Sequence, residues 1–209
     1  MPLLESDSRS PLLLLERSPL SMSEFESHQA LLYLIRQLAY REGEFKLSSG
    51  GQTSYYINCK PVMLHPQGAY LLGQLMLLAL PDETQAVAGL TLGADPLVSA
   101  VSLMSAIAPD AVPSNIPGVI VRKQPKGHGT AASLEGPTLP EGSLFWILED
   151  VVTTGASALK ACDRVREAGY RVGGILAIVD RQEGGSELYR QAGIEFHSLF
   201  TISDIQAAA

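Results

Sequence analysis

Apolar positions first become periodic at Leu31, Leu34, Ile35 and Leu38. That is the i, i+3, i+4, i+7 spacing of a helix with one face on a core. Ser27 stands where an N-cap would, and Gly43 where the chain would leave the helix. Over residues 45–58 the pattern changes to alternation, broken by the turn signal Ser49-Gly50-Gly51, which predicts a strand, a turn and a second strand. Residues 67–80 are apolar enough for a buried helix.

A repeated rhythm follows. Residues 86–90, 119–122, 144–148, 174–179 and 195–198 are short apolar runs, and helix-like stretches lie at 97–107, 157–168 and 186–192. Strands alternating with helices predict an α/β fold, with a mostly parallel sheet covered on both faces. Ligands of open α/β sheets bind beyond the carboxyl ends of strands. Two connections at such ends stand out: the long, polar stretch 122–142 and the short, small-residue stretch 152–157.

Residues 1–23 are rich in Ser, Pro and Leu without a period. They are predicted to be a disordered or loosely attached extension of a domain spanning 24–209. Met22 stands just before the first helix, so translation is a candidate to start there. No apolar run approaches the roughly 20 residues of a membrane span, and the start lacks the features of a signal peptide. Two widely separated cysteines, Cys59 and Cys162, read as reduced thiols in a cytoplasmic protein. The net charge of −7 argues against a nucleic-acid partner, because phosphate neutralisation needs an excess of Lys and Arg.

Against that acidic background one segment gathers cations. Arg122, Lys123, Lys126 and His128 fall within seven positions, interspersed with Pro125, Gly127 and Gly129. A loop of this composition can close over a diphosphate, neutralise it and exclude water. The bland alternative is a solvated basic turn.

The most specific segment begins at Leu144. An apolar strand ends in Glu149-Asp150, and Val151-Val152-Thr153-Thr154-Gly155-Ala156-Ser157 leads directly into a helix. Unpaired N–H groups at a helix start, with Thr and Ser hydroxyls, cradle an anion, and Gly155 lets the backbone come close to it. Two carboxylates beside such a cradle suit a vicinal diol. Phosphate at one end and diol at the other describe a ribose 5-phosphate. Each half alone reads equally well as an ordinary strand end and helix cap.

The complete run resembles the ribose-phosphate signature of the type I phosphoribosyltransferases. The pattern Arg122-Lys123-x-x-Lys126-x-His128-Gly129 resembles the catalytic loop of the orotate phosphoribosyltransferases in particular. Two further stretches resemble the same family: Phe45-x-Leu47-x-Ser49-Gly50 leading to Tyr55-Tyr56, and Val179-Asp180-Arg181-Gln182-Glu183-Gly184.

The resemblance covers roughly residues 29–202 and implies the type I phosphoribosyltransferase fold, with a small hood from about residues 24–65. It implies transfer of a phosphoribosyl group from phosphoribosyl diphosphate to orotate, with Mg²⁺ carried by the donor and waters, and no direct protein ligand. Arg122, Lys123, Lys126 and His128 would be catalytic and bind the donor. Glu149, Asp150, Val151, Val152, Thr153, Thr154, Gly155, Ala156 and Ser157 would hold its ribose and 5-phosphate. Thr153, Arg181, Tyr56 and Ile57 would contact orotate. A homodimer with shared active sites is implied as well.

Two departures mark a subclass. Ser48 stands where many relatives have Lys, and the turn Gly89-Leu90-Thr91-Leu92-Gly93-Ala94-Asp95-Pro96 lacks the lysine that many carry. Lys46 is a candidate substitute, on the same strand face as Ser48. The competing readings are transfer to another base and a non-catalytic regulatory binder of the same donor.

Overall fold

The computed structural model describes residues 22–46, 52–108, 112–124 and 133–208. Its first helix, α1 (Glu24–Leu34), is capped by Ser23 rather than by Ser27. Ser23 and Glu26 form a reciprocal capping box: the serine hydroxyl accepts from the Glu26 amide, and the Ser23 amide donates to the Glu26 carboxylate at 2.9 Å. Ser27 is instead buried, and its hydroxyl donates to Gln74. Met22 belongs to the core, so the folded unit includes the two residues before Glu24.

The helix also ends before Gly43. It loosens into a π-turn over Ile35–Ala39, and strand β1 (Tyr40–Lys46) starts where the apolar stripe runs out. Gly43 lies in β1, at an irregularity of its pairing with β2 (Gln52–Ile57). These two antiparallel strands form a small separate sheet. A short helix, α2 (Lys60–Met63), follows, and then the long apolar helix α3 (Pro66–Ala79).

The main sheet contains β3 (Ala86–Leu90), β4 (Gly118–Val121), β5 (Leu134–Glu135), β6 (Leu144–Val152), β7 (Arg171–Asp180) and β8 (Glu195–Thr201). Their order is β5-β4-β3-β6-β7-β8, parallel throughout except for the short β5. Helices α4 (Asp95–Ile107), α5 (Ala156–Glu167) and α6 (Gly185–Gln191) connect strands, and α7 (Ile202–Ala207) follows β8.

The period-two geometry of a strand explains why β3, β6 and β7 read as continuous apolar runs. Val87, Trp146, Leu148, Leu176 and Ile178 enter one core layer, with α1, α3 and α4. Ala86, Ala88, Phe145, Ile147, Ile175 and Ala177 enter the other, with Ala158, Cys162 and Val165 of α5 and Tyr189 of α6. Each fully buried large side chain contributes roughly 1.5–3 kcal/mol of transfer free energy. Both cysteines are buried and unbridged. No helix among the described residues is long and apolar enough to cross a membrane.

This topology positions a crevice. From β3 the chain goes one way to β4, while β6 lies on the other side of β3. The helices that follow β3 and β6 pack in opposite layers. The carboxyl ends of β3 and β6 therefore flank a topological switch point, where such sheets open to ligands.

Candidate active site

Glu149 and Asp150 stand near the end of β6, at this opening. Glu149 is only 7% exposed, and its Oε2 has no hydrogen-bond partner. Burial, reinforced by the charge of Asp150, pushes its carboxyl up to about 8. Asp150 is more accessible, and its Oδ1 accepts from the amide of Val151 at 2.9 Å. Gly93, in the turn after β3, packs against it: a Cβ there would stand 3.3 Å from Asp150 Oδ1. On the carboxylate's other oxygen, Lys60 of α2 approaches Oδ2 to 3.6 Å. The turn that lacks a lysine thus abuts a carboxylate already served by a cation from the hood.

The loop after β6 turns sharply. Gly155, at φ +84°, is the N-cap of α5 and supplies no side-chain cap. The amides of the first turn of α5 are therefore left to an external acceptor. Glu149, Val151, Val152, Thr153, Thr154, Gly155, Ala156 and Ser157 line a cleft of about 90 Å³ together with Tyr189. The Tyr189 side chain is fully buried, and its hydroxyl lacks a partner.

Strand pairing brings a second group to the same loop. Val152 pairs with Asp180, and the Arg181 amide donates to the Val152 carbonyl at 2.9 Å. The Arg181 guanidinium reaches back, with Nη1 3.4 Å from Thr153 Oγ1. Its Nε donates to the Tyr55 hydroxyl at 3.0 Å, and its Cζ lies 4.9 Å from the Tyr55 ring centroid. Nη2 pairs with Glu183 at 2.8 Å. Burial pushes the Tyr55 phenol above its ordinary range.

Tyr55, and not Tyr56, is the aromatic that β2 delivers to Arg181. Residues 53, 55 and 57 alternate inward, and Tyr56 lies half exposed on the opposite face, against Phe45. Tyr56 and Ile57 are adjacent in a strand, so their side chains leave it on opposite faces. Ile57 shares the inward face with Tyr55 and packs on the core.

Arg122 and Lys123 follow β4, beside the turn after β3. With Thr91, Asp95, Ile120, Gln124 and Glu135 they line a cleft of about 500 Å³. Arg122 is ion-paired with Glu135 of β5. The Lys123 carbonyl accepts from Arg164 of α5 at 2.7 Å, which fixes the base of the cationic segment. Lys126, His128 and Ser48 lie outside the described residues, and nothing is described of the Lys46 side chain.

Sequence reasoning named Tyr55 only as one of an aromatic pair, and passed over Lys60 and Tyr189. Strand parity was a signal for Tyr55. Lys60 and Tyr189 reach the site through tertiary packing, which local pattern does not record.

Comparison with known proteins decides the family. No family model matches the chain. The orotate phosphoribosyltransferase of Nostoc sp. is 58% identical over 176 residues, covering 84% of each chain. That of Thermosynechococcus vestitus is 55% identical over 86% of this chain and 93% of its own. The chain belongs to the orotate phosphoribosyltransferase family. Among solved structures of this family, a Mycobacterium tuberculosis orotate phosphoribosyltransferase superposes with a TM-score of 0.74 at 33% identity, covering 86% of this chain and 98% of that one. Another structure of the M. tuberculosis enzyme, in complex with 5-phospho-α-D-ribosyl 1-diphosphate, superposes at 0.70 with 31% identity, covering 86% and 99%. An adenine phosphoribosyltransferase from Leishmania donovani shares the fold alone, at 15% identity and a TM-score of 0.59.

Proposed function

We propose that this protein transfers the 5-phosphoribosyl group from 5-phospho-α-D-ribose 1-diphosphate to orotate. The products are orotidine 5′-phosphate and diphosphate, in the de novo route to UMP. One observation carries the reading. A buried glutamate beside an aspartate, a glycine-turned helix start and an arginine bonded to Thr153 of the same loop gather at the carboxyl ends of β6 and β7.

Each part has a chemical role. The α5 start, with Thr153, Thr154 and Ser157, takes the 5-phosphate. Glu149 and Asp150 take the ribose hydroxyls, and a protonated Glu149 both donates and accepts. Arg181 and Thr153 orient orotate, the arginine through the base's carboxylate. Arg122, Lys123, Lys126 and His128 stabilise charge developing on the leaving diphosphate, whose departure leaves an oxocarbenium-like sugar for a ring nitrogen of orotate to attack.

Among the described residues no group of three or more His, Cys, Asp or Glu is arranged to hold a metal. The carboxylate of Asp150 fits a hard cation carried on the donor's oxygens and on water. When bound, Mg²⁺ supplies neutralisation of the diphosphate charge. Glu149 and Asp150 hold the sugar that bears it.

We also infer a homodimer whose cationic loop serves the partner's site. Its support is the family resemblance, together with Leu103 and Ile107, one turn apart on α4 and both more than half exposed. The test of activity is product formation from donor, Mg²⁺ and each of orotate, uracil and adenine. Orotate-dependent release of diphosphate is expected. Equal or preferential use of another base overturns the assignment.

A further inference from the structure

Arg181 meets a carboxylate of its own chain where the proposed function places the carboxylate of orotate. Glu183 Oε1 lies 2.8 Å from Arg181 Nη2 and accepts the Tyr55 hydroxyl at 2.9 Å. Tyr55 in turn accepts from Arg181 Nε at 3.0 Å. Guanidinium, phenol and carboxylate form a closed ring of contacts, with Thr153 on the fourth side.

The backbone around Glu183 is set, while its side chain can turn away. Gln182 and Gly184, on either side, both have left-handed backbones, at φ +58° and +99°. The Gln182 amide donates to Asp180 at 2.8 Å, and its side-chain oxygen accepts from Ser203 at 2.6 Å. The Arg181 side chain is 12% exposed and that of Glu183 38%, so the carboxylate is the more accessible of the two to solvent.

We propose that Glu183 is an internal stand-in for the substrate's carboxylate. It holds Nη2 of Arg181, and orotate must displace it to bind. This rests on the reading of Arg181 as the group that receives orotate. Two carboxylates cannot share one guanidinium cheaply, because like charges a few ångströms apart repel. Incoming orotate therefore competes with Glu183. A base without a carboxylate offers the fork only a neutral acceptor and leaves it closed. The device keeps a recessed arginine paired between turnovers, and orotate affinity is lower in consequence.

The test is steady-state kinetics of Glu183→Gln, which keeps the shape and the acceptor for Tyr55 but removes the charge. The expected result is a fall in the KM for orotate of roughly two- to fivefold, the worth of a partly exposed ion pair. The KM for the donor should not share that fall. Glu183→Asp, whose carboxylate falls short of the fork, should lower the orotate KM in the same direction. An unchanged or raised orotate KM in both variants overturns the proposal, provided that Arg181→Ala raises it at least tenfold. If Arg181→Ala leaves the orotate KM unmoved, the base-site reading itself fails.

Discussion

The ring of Tyr189 lies so close to Gly155 that a Cβ on the glycine would stand 2.8 Å from the tyrosine Cε1. Helix α6 thus forms the floor under the loop that starts α5. Gly155 is required twice, by its φ of +84° and by this contact. Gly155→Ala should destabilise the fold by about 1–3 kcal/mol and displace the amides of the loop. Thermal unfolding should register the first effect. A donor KM raised at least tenfold should register the second. A wild-type donor KM in a well-folded Gly155→Ala protein would separate the loop from the 5-phosphate.

Glu149 gives the fold a pH dependence. Burial raises its carboxyl from 4.5 to about 8. Between those values the folded chain keeps a proton that the unfolded chain has released. Its contribution to stability is full below about pH 4.5, declines as pH rises, and is lost above about pH 8. Glu149→Gln, which cannot ionise, should be more stable than wild type in the alkaline range, by on the order of a few kcal/mol. The gap should close toward acid. Melting temperatures of both proteins across the range would test this, and a gap independent of pH would count against it.

Lys60 supplies a cation beside a turn without lysine. Its ammonium lies 3.6 Å from Asp150 Oδ2, on a half-exposed side chain facing a mostly buried carboxylate. The pair contributes little to stability, because one partner is solvated. Its position beside the carboxyl groups proposed to hold the sugar matters more. Lys60→Ala should leave the melting temperature nearly unchanged and raise the donor KM several-fold, with Lys60→Arg restoring it. Equal donor KM values for wild type and Lys60→Ala would confine the residue to the surface.

Much of this architecture was legible because buried parallel strands leave an unmistakable trace. The runs 86–90, 144–148 and 174–179 all became central strands, since both faces of the sheet demand apolar residues. The acidic pair and the glycine loop were legible because strand, loop and helix are contiguous. What pattern could not give was anything set by neighbours in space. Ser27 reads as a cap until the buried contact with Gln74 claims it. Tyr55 reads only as one of an aromatic pair until strand parity turns it toward Arg181. Lys60 and Tyr189 carry no local signal, because α2 and α6 meet the crevice only after folding.

The proposed homodimer with shared sites can be tested by subunit mixing. Lys126→Ala removes a cation of the loop and should lower kcat at least a hundredfold, the scale of losing one electrostatic contact to a transition state. Arg181→Ala removes the proposed contact to orotate. Each variant alone should be nearly inactive. If the loop serves the partner's site, a mixed dimer holds one doubly damaged site and one intact site. Random exchange between two such homodimers makes half of the dimers mixed, so activity should recover to about a quarter of wild type. If each loop serves its own subunit, every site in the mixture carries one lesion and no activity returns. Recovery that tracks the fraction of mixed dimers would establish action in trans, and its absence despite demonstrated exchange would place the cationic loop over its own crevice.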